Sequence, residues 1–307
     1  MRPFRFEATL DTQRSASADR IALGIGLTLA AMFGFAVMDA ISKVLGQHLS
    51  VPQILWVRYI LYTLLAVAVL RPMGLRRVFH SQRPWLQLSR SLLIIIENGV
   101  FVYAFTLMPL ADMHAIAAAS PLLVIALSVP LLGEKVGWRR WMAVIAGFAG
   151  VLLIVRPGLK ALDWPMLVAL AGALLWGVYQ VLVRMCSRTD SSETTWLWTA
   201  VVGLLATSIV GPATWVWPDG WGWAMLFAIA ALGTGCHWAF IKALSLVEAS
   251  AVQPYSYTLF VWAALIGWLW FGDVPDGRTL AGATVIIASG LYAWHRERVR
   301  AGQRVSG

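Results

Sequence analysis

Ten apolar stretches, separated by short polar breaks, run the length of the chain: about 21–45, 52–71, 85–108, 111–133, 138–156, 163–186, 194–216, 222–245, 249–271 and 279–295. Each is close to the roughly 20 residues that a helix needs to cross a bilayer. The breaks carry their own punctuation. Pro52, Pro72, Pro84, Pro157, Pro165, Pro218 and Pro275 stand at or near the predicted ends, where a missing N–H costs least. Trp85, Trp138, Trp141, Trp164, Trp221, Trp223 and Trp294 also cluster near ends, as an aromatic belt does. Only Met1–Arg20 and residues 296–307 fall outside the pattern. The first is polar, with Arg2, Arg5, Glu7, Asp11, Arg14, Asp19 and Arg20. It lacks the short apolar core and cleavage site of a secretory leader. The expectation is a disordered cytoplasmic tail over 1–20 and a second cytoplasmic tail over 296–307.

Composition strengthens the membrane reading. Of 307 residues, 59% are hydrophobic and 13% charged, and the mean hydropathy is +0.72. A soluble core could not hide that much apolar surface, so lipid is the expected solvent. Ten crossings use up the length and leave no room for a soluble domain.

The net charge is +9. The basic residues lie between apolar runs, not on one soluble face, so they report topology and not nucleic-acid binding. With the N-terminus inside, the inside segments hold Arg2, Arg5, Arg14, Arg20, Arg71, Arg76, Arg77, Arg83, Lys135, Arg139, Arg140, Arg184, Arg188, Lys242, Arg296, Arg298, Arg300 and Arg304. The outside loops hold Arg156, Lys160 and Arg278. This asymmetry, about 18 against 3, predicts both termini cytoplasmic, and the expected location is a bacterial-type inner membrane. Cys186 and Cys236 form no CxxC pattern, and no metal or cofactor is implied.

The two halves repeat. Ala36–Lys43 aligns with Gly177–Arg184, and Leu131–Glu134 aligns with Trp270–Asp273, each about 140 residues apart. Five helices per half is an odd number, so the second half enters from the opposite side. The expected fold is an all-α polytopic membrane protein of ten transmembrane helices, in two inverted five-helix repeats over 21–156 and 163–295.

Several of these residues carry a resemblance. Half one has Pro109–Asp112, Ser120-Pro121-Leu122, Gly133–Trp138, Gly147 and Gly150-Val151-Leu152; half two has Tyr257–Leu265, Phe271–Asp276 and Ala288–Tyr292. The chain resembles the drug/metabolite transporter superfamily in its EamA-type branch, over roughly 21–295. The resemblance implies a ten-helix carrier with a central cavity between its halves, working by alternating access. It also points towards members associated with S-adenosylmethionine, riboflavin or amino-acid-derived metabolites. Two departures stand out. Asp273 replaces Glu in the second GE-type turn, and Phe260 stands opposite Pro121. The halves are therefore not interchangeable.

Candidate chemistry lies in charges within the spans, each costing about 2.5–3.5 kcal/mol at the bilayer centre on insertion scales. Glu97, beside Asn98 midway along the third stretch, takes a proton or meets a cationic group of the substrate, or else pairs with Arg90. Asp39 pairs with Lys43 at i, i+4 or with Arg58. That cluster is a structural ion pair, an outer gate, or a site for a substrate carboxylate. Gln180 is the repeat mate of Asp39. His114 reads as interfacial, near Asp112, while His237 beside Trp238 is either packing or site. Trp176, Tyr179, Trp238, Tyr255, Tyr257 and Trp262 could line a cavity or simply pack. Pro254 could break the ninth helix just before Tyr255 and Tyr257. The small residues Ala115–Ser120 read as close helix packing, and Gly133-Glu134 as a helix cap.

No HExxH, GxSxG or P-loop is present, so an enzyme or an ATPase is not expected. The reading is a secondary transporter of a small polar or zwitterionic, amino-acid-like metabolite, with export favoured by the resemblance. The alternatives are an uptake carrier for S-adenosylmethionine or riboflavin, and a non-transporting scaffold or receptor. The partners are a small-molecule substrate and the lipid bilayer. A proton as coupling ion and a homodimer stay open, and no nucleic acid is expected.

Overall fold

A computed structural model describes residues 4–133, 136–155, 163–246 and 255–305. Among these the chain is helical throughout, with no strand. The helices are α1 (Phe4–Leu45), α2 (Val51–Leu70), α3 (Leu75–Phe79), α4 (Pro84–Leu107), α5 (Leu110–Ala117), α6 (Ser120–Leu132), α7 (Trp138–Val155), α8 (Trp164–Cys186), α9 (Ser192–Val210), α10 (Gly220–Leu246), α11 (Thr258–Phe271) and α12 (Gly277–Val305). Among the described residues eight spans are long and apolar enough to cross a membrane, and Thr258–Phe271 is a shorter apolar helix. The tenth apolar stretch lies within α12.

The helix starts follow from local chemistry. Pro52, Pro84 and Pro165 occupy the first turns of α2, α4 and α8. Ser50 and Ser191 cap α2 and α9 by accepting from the backbone N–H of Gln53 and Thr194. The C-terminal ends of α6 and α11 close on Gly133 and Gly272, with φ of 70° and 69°, a left-handed region that favours glycine. Each of these cap pairs is separated by the repeat distance, about 140 residues. The same signals therefore end the same helices in both halves.

Three expectations change. The segment read as a disordered tail is helical from Phe4 onward. Glu7, Ala8, Leu10, Gln13, Arg14, Ala16 and Ala18 are good helix formers, and extending an existing helix avoids the cost of a new nucleus. At the other end α12 continues to Val305, through the second expected tail. The stretch 111–133 is two helices, α5 and α6, interrupted at Ala118–Ala119. Pro121, in the first turn of α6, has no N–H to continue the ladder. Glu134, Lys135, Arg156, Lys160 and Pro254 lie outside the described residues.

Packing is twofold. α1 lies against α10 as α8 lies against α4, α2 packs on α9, and α7 packs on α12. The contacts of α1 with α11 are matched by those of α8 with α5 and α6. The α7–α12 crossing is backbone-close: a Cβ on Gly150 would come 2.8 Å from the Gly282 carbonyl, and one on Gly282 would come 2.6 Å from that of Gly150. Trp85, Trp138, Trp164 and Trp221 are exposed at helix ends, where an aromatic belt belongs.

Candidate functional site: a charged cavity between the halves

A cavity of about 240 Å³ opens between α1, α2, α4, α5, α6, α8, α10 and the start of α11. Of the side chains singled out in the sequence, it brings together Asp39, Arg58, Glu97, Asn98, Trp176, Gln180, His237 and Tyr257. The α5–α6 interruption ends on it through Ala117, Ala118 and Ser120, and Tyr257, the N-cap of α11, meets it on the other side. A hydroxyl holds each of these ends. Ser120 donates to the Ala117 carbonyl, and Thr258 donates to the Tyr255 carbonyl, both at 2.6 Å. Broken helices at a repeat interface are where transporter folds place their sites.

The charges pair differently from the sequence expectation. Lys43 does not turn back to Asp39. Its Nζ reaches Asp273 at 2.7 Å, approaches the Met108 carbonyl at 3.4 Å and sits 4.6 Å from the Phe271 ring centre. Arg58 donates to Asn98 Oδ1 at 3.1 Å instead of to Asp39. Asp39 faces His114, whose Nε2 lies 3.1 Å from its Oδ2, within ion-pair range but off the axis of a hydrogen bond. His114, read as interfacial, is 4% exposed and lines the cavity. Glu97 is 5% exposed and has no ion pair with Arg90. The charges acting on it are those of Arg58 and Asp39.

His237 stands about 140 residues after Glu97, so the two are repeat mates on α4 and α10. Its Nδ1 is 2.7 Å from the Gly233 carbonyl. A carbonyl only accepts, so Nδ1 carries the hydrogen, and Nε2 is an acceptor for the cavity.

Five candidates lie elsewhere. Arg90 is fully buried in a polar network: it donates to Gln87, Tyr179, Ser91, Thr199 and the Thr195 carbonyl. Tyr179 belongs to that network and also stacks on Trp176. Trp238 is 58% exposed on the outside of the bundle. Tyr255 is half-buried and does not line the cavity, and Trp262 instead packs edge-on against Phe33. The sequence reading missed Phe101, Phe105 and Ser42, which do line it. Nothing in an apolar helix distinguishes a cavity-facing Phe from a packed one. The break beside Pro121 was the signal that could have pointed to His114.

An inverted, all-helical bundle whose mainly apolar central cavity holds a few buried charges has the architecture of a secondary transporter. The chain belongs to the EamA-like transporter family, which matches residues 22–156 and 163–293. It is a membrane transporter of the drug/metabolite transporter superfamily and not an enzyme. It is 25% identical to an S-adenosylmethionine uptake transporter of Rickettsia felis, covering 90% of this chain and 93% of that one. It is 27% identical to a riboflavin transporter of Vibrio cholerae, covering 89% and 93%. It is 28% identical to a pseudopaline exporter of Pseudomonas aeruginosa, covering 88% and 95%.

Proposed function

We propose that this transporter carries a small zwitterionic, amino-acid-derived metabolite by alternating access through the central cavity. The supporting observation is the opposed pair Glu97 and Arg58 on its wall. A buried carboxylate suits a substrate ammonium group, and Arg58, held by Asn98, suits a substrate carboxylate. His237 Nε2 and Gln180 add polar contacts, while Phe101, Phe105 and Trp176 cover the apolar part. The volume of about 240 Å³ lies just under the roughly 300–1,000 Å³ of drug-sized pockets, which favours a small cargo. The relative named for S-adenosylmethionine is consistent with an amino-acid derivative.

Export is the proposed direction and rests on the family resemblance. The arginine and lysine asymmetry supports cytoplasmic termini in an inner membrane. The Lys43–Asp273 pair then lies on the outer side and the Asp190 loop on the inner side.

The test is flux. Purified protein in liposomes is offered amino acids, amino-acid derivatives, S-adenosylmethionine and flavins, after a thermal-shift screen of the same compounds. A zwitterion should both stabilise the protein and cross the membrane. Glu97→Gln should cut that flux by at least tenfold, and Arg58→Gln similarly. Stabilisation by uncharged hydrophobic compounds alone would overturn the charge-based reading, and binding without flux would favour a receptor.

A further inference from the structure

We propose that Asp39 and His114 form a proton-binding site inside the cavity, distinct from the Glu97–Arg58 wall, and that this proton is the coupling ion of the transporter. The inference rests on transport but not on the nature of the cargo.

The geometry suits a proton. His114 Nε2 lies 3.1 Å from Asp39 Oδ2, and both residues are buried, at 4% and 9% exposure. A protonated ring is attracted to a carboxylate at that distance even off the axis of a hydrogen bond, and one proton is placed most simply on Nε2. Nδ1 then remains the basic atom. It has no partner among the described residues, and the ring borders the cavity. A proton from cavity water adds to Nδ1, one N–H bond forms, and the pair passes from a net charge of −1 to neutral. Loss of that proton reverses the step, and no other reactant is needed.

The surroundings make this charge change matter. On α1, Lys43 lies one turn from Asp39 and is engaged by Asp273. From α4 comes Glu97, from α2 Arg58, from α10 His237, and before α11 Tyr257. α8 contributes the uncharged Gln180 and Trp176. α12 meets α5 at its other end, where Thr279 donates to Asp112. The second proton removes one negative charge from the cavity wall beside Glu97 and Arg58, and in a low-dielectric cavity such a change is felt strongly by those neighbours. The second proton also turns a dipolar contact between α1 and α5 into an ion pair, which changes how the interrupted helix is held.

Two measurements test this. In nanodiscs containing ¹⁵N-histidine-labelled protein, the His114 ring signal, assigned with His114→Gln, is followed from about pH 5 to pH 8 and should change with pH. In Asp39→Asn the doubly protonated ring should form only at more acidic pH, because the carboxylate that favours it is gone. A His114 signal unchanged across that range would overturn the site. In proteoliposomes with an entrapped pH dye, flux of a radiolabelled amino acid or S-adenosylmethionine should shift the internal pH. His114→Gln should carry label without that shift. Wild-type flux with no pH change would overturn the coupling. Failure of every zwitterionic probe to move would count against the proposed cargo, and the titration would still decide the proton site. Monodispersity on size-exclusion chromatography guards against misfolded variants.

Discussion

Arg90 is a fully buried cation at the start of α4 whose hydrogen-bond partners are all neutral, and it is linked to Asp190 only through an amide. Gln87 accepts from Arg90 and donates to Asp190, which also receives bonds from Ser81 and the Gln82 backbone. The network joins α4, the α8–α9 loop and α9, tying one half to the other. Arg90→Met should leave Thr199, Ser91 and the Thr195 carbonyl short of a donor, costing about 1–3 kcal/mol in thermal unfolding, because buried unpaired polar groups bear their full desolvation penalty. Burial pushes the Asp190 carboxyl up, but the bonds from Ser81, Gln87 and Gln82 outweigh it and hold the group below its ordinary value of 3.8. A depressed carboxyl stabilises the fold above that ordinary value and loses the contribution as pH falls through the lower folded one. Asp190→Asn should flatten the acid limb of a pH–melting curve and leave the neutral region nearly as stable as the network without its charge permits. At this scale the sequence was half legible. The depth of Glu97 and Arg58 in apolar runs marked them, since charge in lipid needs a reason. Their partners were not legible. An i, i+4 rule sees only one helix, whereas Lys43 finds Asp273 from the other half.

The helices themselves were easier to read. Apolar runs bounded by proline and tryptophan gave ten crossings, because each run must satisfy its own backbone in lipid. What escaped was the interruption at Ala118–Ala119, since alanine favours helix and nothing before Pro121 announces a break. Helix contacts also escaped, because close approach depends on which faces meet. Gly150 and Gly282 make this testable. Neither has room for a methyl group, as each Cβ would meet the carbonyl of the other. Gly282→Ala should force α7 and α12 apart and cost about 1–3 kcal/mol, the usual range for overpacking. Gly235→Ala is the control, since a Cβ there meets nothing within 4 Å. Its melting temperature in detergent should not fall.

Across the whole molecule the Lys43–Asp273 pair clamps the end of α1 to the end of α11, joining the two halves on one side of the cavity. If that side opens during transport, the clamp must part. A cysteine pair at these positions, oxidised to a disulfide, should stop flux, and reduction should restore it. Continued flux in the oxidised variant would show that this side does not open. The charge reversal Lys43→Asp with Asp273→Lys should recover more flux than either single change.

Ser50 and Ser191 end corresponding turns on opposite faces of the bundle, as do Gly133 and Gly272. Their chemistry is backbone-local and takes no account of which compartment lies outside. The caps tell the chain where to turn but not which way to face. Orientation is left to the arginines and lysines beyond them. An inserted copy with those few residues redistributed would meet the membrane upside down with every helix intact.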